Sequence, residues 1–337
     1  MTDRLQNRLC AYLAGATGEE VSIAGMRRLA GGVSRETWAF DLIRAAKEEG
    51  QPLVLRMDTP RPFIEGSRGS EFSLIRWAGT RGVPVPQVLW CEDDPGVLGG
   101  AFFIMSRIEG ESRTQRLHRD ARFARARERL LPQAAAALAA IHRMTPDEAP
   151  RGVDIPLRKP AQDVEDLTTL YRRWAMDPHP VLELALRWLA SHLPEHHVLT
   201  LVHGDFRPGN LLFDEEGLCA VLDWELAQFG DPRMDLAWMC LRSWRGGAPG
   251  KDEGLLEAGG LATRRDWLDA YAKSGGHPIA GEDWHFWDVF AHARWAVVTV
   301  MEAGGFLEGN SNIELAGLGR RTAEVEWDLL TLLEKEG

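Results

Sequence analysis

The residues best suited to chemistry lie in His203-Gly204-Asp205-Phe206-Arg207-Pro208-Gly209-Asn210 and, after an apolar run, in Val221-Leu222-Asp223-Trp224-Glu225. Asp205, Asn210 and Asp223 offer hard oxygen donors. Such donors suit Mg²⁺ carrying nucleotide phosphates, because this ion keeps most of its waters and takes only one or two protein carboxylates. Val198 to Val202 reads as a strand leading into the first motif. A hairpin made of Leu211-Leu212-Phe213, a turn at Asp214 to Gly217, and Cys219 to Leu222 delivers the second aspartate.

The spacing from Asp205 to Asn210 is that of the protein-kinase catalytic loop, in which the Asp accepts the substrate hydroxyl proton and the Asn holds a metal. Asp223 stands where the metal-binding Asp of Asp-Phe-Gly would stand. The chain reads His-Gly-Asp in place of His-Arg-Asp, and Asp-Trp-Glu in place of Asp-Phe-Gly. In both respects it resembles the aminoglycoside phosphotransferase and choline kinase family of small-molecule kinases. The resemblance implies an α+β, bilobal protein-kinase-like fold, with a small antiparallel β-sheet lobe and one main helix over residues 1–109, and a larger, mostly helical lobe over 110–337. It implies ATP and Mg²⁺ as cofactors and a small-molecule hydroxyl as phosphoryl acceptor. Asp205, Asn210 and Asp223 are then the catalytic set, with Asn210 and Asp223 on the metal. His203 has two readings, fixing the loop by hydrogen bonding or simply packing. Arg207 either stabilises phosphate charge or lies exposed, and Glu225 either touches a second metal or is structural.

The elements that must position these residues follow from the earlier sequence. Val21 to Leu29 and Thr37 to Leu42 read as strands flanking Ala30-Gly31-Gly32-Val33-Ser34-Arg35-Glu36. A glycine-rich turn between strands lets backbone N–H groups approach phosphates, which makes Gly32 and Ser34 candidate nucleotide contacts; an ordinary hairpin turn is the alternative. Pro52 to Met57 is a short apolar strand carrying Arg56 where kinases present Lys to the α/β-phosphates. Glu71, on the helical pattern Glu71 to Trp77, is its expected partner. Arg is planar and bulkier than Lys and can grip phosphate with two nitrogens. The apolar strand Ala101 to Ser106 resembles a kinase hinge, placing Met105 near an adenine edge and the lobe boundary near Glu109; a plain core strand fits it equally.

Composition sets the broad class. The 337 residues are 45% hydrophobic and 26% charged, ordinary for a soluble globular protein with room for two lobes. The amino terminus has no apolar signal core and no stretch approaches membrane-span length, so the cytoplasm and no membrane partner are expected. A net charge of −11 argues against general nucleic-acid binding. Charge is unevenly shared: residues 1–130 carry 20 Lys/Arg against 17 Asp/Glu, and residues 131–337 carry 19 against 33. Cys10, Cys91, Cys219 and Cys240 lack metal or redox spacing and read as reduced packing residues.

In the later sequence, Leu131 to Met144 is an Ala-rich helix ending near His142, a packing residue on this reading. Seven arginines between Arg113 and Arg129 make either a solvated basic helix face or a seat for a phosphate-bearing substrate such as a coenzyme A thioester. Gly230-Asp231-Pro232 opens a helix that Asp231 caps, while Asp235 fastens it to the catalytic loop. Helices are expected over Arg264 to Lys273, Trp284 to Gly304 and Ala316 to Leu333. In the family the late helices form the acceptor pocket, so Trp287, Arg294, Trp295 and Glu302 are substrate candidates, although such aromatics are more often core. Arg56 also resembles the branch of the family linked to acyl-CoA dehydrogenases. A nucleotide-binding pseudokinase or regulatory module, and a metal-dependent hydrolase, are the alternative functions.

Overall fold

The computed structural model describes residues 2–29, 35–45, 49–59, 67–245, 256–279, 284–308 and 313–334. The chain divides into two compact units. The first comprises Met1–Gly110 with Ala149–Asp154 and Cys219–Glu225, and the second comprises Glu111–Glu148, Ile155–Leu218 and Leu226–Gly337.

The first unit is built on a five-stranded antiparallel sheet. Its strands are β1 (Val21–Arg28), β2 (Arg35–Arg44), β3 (Gln51–Asp58), β4 (Val88–Glu92) and β5 (Phe102–Ser106), in the order β1-β2-β3-β5-β4. Alternation puts Trp38, Phe40 and Leu42 of β2 beside Leu53, Leu55 and Met57 of β3 on one apolar face. Helix α1 (Thr2–Thr17) covers that face with Leu9 and Leu13, both fully buried. Helix α2 (Arg68–Thr80) starts where the Ser67 hydroxyl accepts the Ser70 N–H, and carries Glu71 in its first turn. A one-turn helix, α3 (Pro95–Leu98), completes the unit. Met105 sits opposite Val54 on one side and Val88 on the other, an interior sheet position rather than a strand end. The ladder runs on through the Ser106 and Arg107 amides, which donate to Gln87 and Pro52.

The second unit is mostly helical. Its helices are α4 (Thr114–Arg119), α5 (Ala124–His142), α6 (Pro160–Trp174), α7 (Pro180–Ser191), α8 (Arg233–Met239), α9 (Arg264–Lys273), α10 (Trp284–Leu307), α11 (Ile313–Gly319) and α12 (Thr322–Leu333). Strands β6 (Thr200–Val202) and β9 (Gln228–Gly230) pair antiparallel, Val202 opposite Gln228. Strand β7 (Leu211–Asp214) runs into a turn in which the Asp214 carboxylate accepts the Glu216 and Gly217 amides, and β8 (Gly217–Val221), which follows, belongs to the first unit from Cys219 onward. Helix α10 is the apolar centre: Phe286, Trp287, Phe290 and Trp295 pack with α6, α7 and α8 side chains such as Leu167, Leu186 and Trp238.

Two local expectations differ from the structure. Helix α5 begins at Ala124, seven residues before Leu131, and runs through Pro132, which deletes one helical hydrogen bond without ending the helix. The single helix expected over Ala316 to Leu333 is two, α11 and α12, and Gly319, at the end of α11, lies close against Ala303 of α10. The arginine cluster is an ion-paired surface. Arg113 and Arg116 pair with Glu111, Arg122 with Glu215, and Arg125 and Arg129 with Glu216, while Arg127 donates to the Leu117 and Asp120 carbonyls. All four cysteines are unpaired, and among the described residues no helix is long and apolar enough to cross a membrane.

Asp163, in the first turn of α6, is buried and accepts one hydrogen bond, from Gln228. Burial pushes its carboxyl up to about 6, only partly opposed by that bond. A folded-state value above the unfolded one means the folded protein holds the proton more tightly, so stability falls as pH rises from about 4 to 6. Asp163→Asn is therefore expected to be more stable than the parent at pH 8, by on the order of 1–3 kcal/mol, with the advantage gone at pH 4. Urea unfolding at the two pH values checks both the sign and the window.

Candidate active site

In the first unit, three arginines and four carboxylates interlock. Arg56, on β3, places Nη1 3.5 Å from Glu71 and Nη2 2.9 Å from Asp223 and 3.5 Å from Glu225. Arg68 pairs with Glu71, one turn away on α2, and with Asp58 at 3.2 Å. Arg35, at the start of β2, pairs with Asp58 at 3.1 Å and with Glu225. Burial alone would lower the Arg56 guanidinium, but Glu71 and Asp223 more than compensate and hold it above its ordinary value. Arg35 is held below its ordinary value by burial. The Arg56–Glu71 partnership expected from sequence is thus present within a larger cluster, and Glu225 is one of its anchors.

Asp223 has φ of 67°, the one positive-φ non-glycine residue among those described. That conformation costs roughly 1–3 kcal/mol, tends to persist at functional sites, and is tolerated best by Asp and Asn. The Trp224 indole N–H, donating to the Val221 carbonyl at 3.1 Å, ties the turn that enforces it.

In the second unit, the loop after β6 presents Asp205. The Asp205 carboxylate accepts from Trp238 Nε1 at 2.7 Å, from Asn210 Nδ2 at 2.6 Å, and from Arg207 Nε at 2.9 and 3.1 Å. Asn210 spends its second N–H on the Asp205 carbonyl at 2.9 Å, which leaves its amide oxygen as an acceptor of the hard type a Mg²⁺ ion takes. Asp223 is likewise a carboxylate with one oxygen on Arg56, so both residues fit that ion by donor chemistry. No group of three or more His, Cys, Asp or Glu side chains arranged to hold a metal occurs among the described residues.

The loop is fastened from below by Asp235, which is fully buried. It accepts the His203 amide at 2.6 Å and the Gly204 amide at 2.9 Å, and bonds His142 Nε2 at 3.2 Å. Burial alone would raise this carboxyl, but the hydrogen bonds from His142 and His203 outweigh it and hold it below its ordinary value. Burial pushes the His142 imidazole down, and the Tyr271 hydroxyl, 2.9 Å away, satisfies its other nitrogen. His203 is buried, and its Nδ1 accepts the Asp205 amide at 3.2 Å within the loop. Gly204 has φ of 79°, and a Cβ there would run into the Leu226 carbonyl. Only glycine serves at this point.

The four late-helix candidates separate. Trp287 is fully buried in the helical core, so the expectation that it meets substrate is corrected; Trp295 is nearly as buried, against Trp238 and Trp244. Arg294 donates to the Gly204 carbonyl at 2.5 Å and stacks on Trp238, which gives it a structural hold on the loop. Glu302 is half-buried, and burial raises its carboxyl to about 7. Gly32 and Ser34 lie outside the described residues. Trp238, Arg68 and Arg35 were missed from sequence, although Trp238 stands one helical turn from Asp235 and Arg68 one turn from Glu71, spacings that put each pair on one face.

Residues 25–276 match the phosphotransferase enzyme family. The chain belongs to this family. Its fold is the kinase-like fold of aminoglycoside phosphotransferases. A candidate aminoglycoside phosphotransferase from Ralstonia eutropha JMP134 superposes with a TM-score of 0.73 at 24% identity, covering 96% of this chain and 97% of that one. APH(2″)-IIIa in complex with GDP and kanamycin superposes with a TM-score of 0.62 at 14% identity, covering 94% and 99%. Mouse acyl-CoA dehydrogenase family member 10 is 29% identical over 311 residues, 85% of this chain but 27% of that protein, so the chain spans about a quarter of that relative's length. Membership of the family supports kinase-like phosphotransferase activity. Asp235→Ala would orphan two buried loop amides, and it is expected to destabilise this phosphotransferase by about 2–5 kcal/mol in urea unfolding.

Proposed function

We propose that this phosphotransferase moves the γ-phosphoryl group of Mg-ATP to a hydroxyl of a small molecule, with Asp205 receiving the hydroxyl proton. The observation that carries the reading is the fixation of Asp205, a carboxylate 14% exposed and held by an indole, a carboxamide and a guanidinium on a loop anchored by Asp235. A base that must hold the attacking hydroxyl in line with a phosphoryl group contributes mainly through position, because the transition state is loose. Arg56, positioned by Glu71, engages the inner phosphates, and Asn210 and Asp223 are the residues that would hold Mg²⁺. When bound, that ion offsets charge on the β- and γ-phosphate oxygens. The GDP in APH(2″)-IIIa supports a purine nucleotide as donor.

The acceptor is a hydroxylated small molecule. The kanamycin of APH(2″)-IIIa makes aminoglycosides one class to screen, and the acyl-CoA dehydrogenase names of the curated relatives make hydroxyacyl thioesters another. Amino alcohols and free hydroxy acids complete the panel. ADP release across these four classes, with ATP and GTP as donors, identifies the class. Release with none of them, alongside intact nucleotide binding, would favour a regulatory nucleotide-binding module.

Asp205→Ala is expected to bind Mg-ATP within about twofold of the parent by calorimetry and to lose roughly 10²–10⁴-fold in turnover. Asp223→Ala is expected instead to weaken Mg-ATP binding itself. Normal binding and full turnover in both variants would refute the assignment.

A further inference from the structure

The three donors on Asp205 are not equivalent. Trp238 is buried in α8 and sandwiched by its surroundings: the Arg294 guanidinium lies 4.7 Å from its ring centroid, and Trp244 and Trp295 pack at 5.4 and 6.2 Å. Asn210 is buried and bonded twice to Asp205. Neither can leave without unpacking the unit. Arg207 is different, with a long side chain that is 31% exposed and rests on the Trp244 ring at 4.9 Å. Its Nε bridges both carboxylate oxygens, 2.9 and 3.1 Å away, and so occupies the arc between the two fixed donors.

If Arg207 swings out, Oδ1 keeps the indole and Oδ2 keeps the carboxamide. The carboxylate plane is still set, and the vacated arc offers a lone pair at about the distance of an O–H···O bond. We infer that Trp238 is a positioning residue for Asp205, its indole N–H and the Asn210 amide fixing the carboxylate so that the seat held by Arg207 becomes the seat of the acceptor hydroxyl. The inference rests on the proposed role of Asp205 and adds to it the group that aims the base. Arg294 belongs to the same device, since it braces the Trp238 ring while gripping the Gly204 carbonyl in the loop.

The bond itself is testable without an acceptor. In ¹⁵N-indole spectra, the resonance missing from Trp238→Phe identifies Trp238; it is expected to lie downfield, to resist exchange, and to move upfield in Asp205→Ala. An unmoved resonance would overturn the inference. The kinetic arm measures ADP release from Mg-ATP with water and with the four-class acceptor panel. Loss of a hydrogen bond to a charged group corresponds to about a 10- to 100-fold fall in kcat, with KM for Mg-ATP within about twofold. Trp238→Phe keeps the ring stack. Where it unfolds, replacement of Trp238 by benzothienylalanine, which has tryptophan's shape without the N–H, gives the same reading. Full kcat in the folded variant, where Asp205→Ala is inactive, would sink the role of Trp238 alone. An active Asp205→Ala would instead sink the proposed function.

Discussion

A single carboxylate out of contact with water organises the helical unit. Asp235 takes two successive backbone amides of the His203-Gly204 turn and one histidine, and each partner would cost free energy if left unmet in that setting. The requirement reaches outward: His142 can serve Asp235 only because Tyr271 of α9 satisfies its second nitrogen, and Tyr271 in turn accepts the His277 amide at 3.2 Å. A loop that must hold Asp205 still is thereby tied to α5, α8 and α9 at once. The positive φ of Gly204 is the backbone condition for this arrangement, since it brings two consecutive N–H groups onto one carboxylate.

The sheet unit solves a different problem, which is how to keep several charges out of water together. Removing one member of a buried ion pair strands its partner at a cost of several kcal/mol, so the cluster stands or falls as a set. Glu71 shares itself between Arg56 and Arg68, and Asp58 between Arg68 and Arg35. Shared carboxylates fix angles as well as distances, because a guanidinium is planar and donates in defined directions. The cluster therefore sets where Arg56 can reach.

What the sequence disclosed and what it withheld follow from the range of the interactions involved. The loop around Asp205 and the strand-borne Arg56 were legible because their chemistry is written in short spacing. Helix α9 was legible at both ends, since Thr263 caps it locally by accepting the Asp266 amide. The donors on Asp205 were harder to read: Trp238 lies 33 residues away, and only the helix that carries both it and Asp235 brings it to the loop. The partners of the arginines between Arg113 and Arg129 were hidden for the same reason, Glu215 and Glu216 lying about 90 residues downstream in the β7–β8 turn. Trp287 looked available because a tryptophan's exposure depends on packing partners that no local pattern names.

Arg56 and Glu225 make sense together. A kinase lysine carries one compact charge and needs one carboxylate to hold it, whereas a guanidinium presents a fork that can meet two groups in different directions. Here Nη1 faces Glu71 while Nη2 faces Asp223 and Glu225, so the change from Lys to Arg is matched by a glutamate where the kinase motif has glycine. Arg35, buried beside it, pairs with the same glutamate and keeps the addition from leaving an unbalanced charge. Of the four acids, Asp223 has the most exposed side chain, at 33%, and the left-handed backbone. Of the four it is therefore the carboxylate that an added cation would reach with least disturbance of the buried pairs, which accords with the proposal that it meets a metal ion.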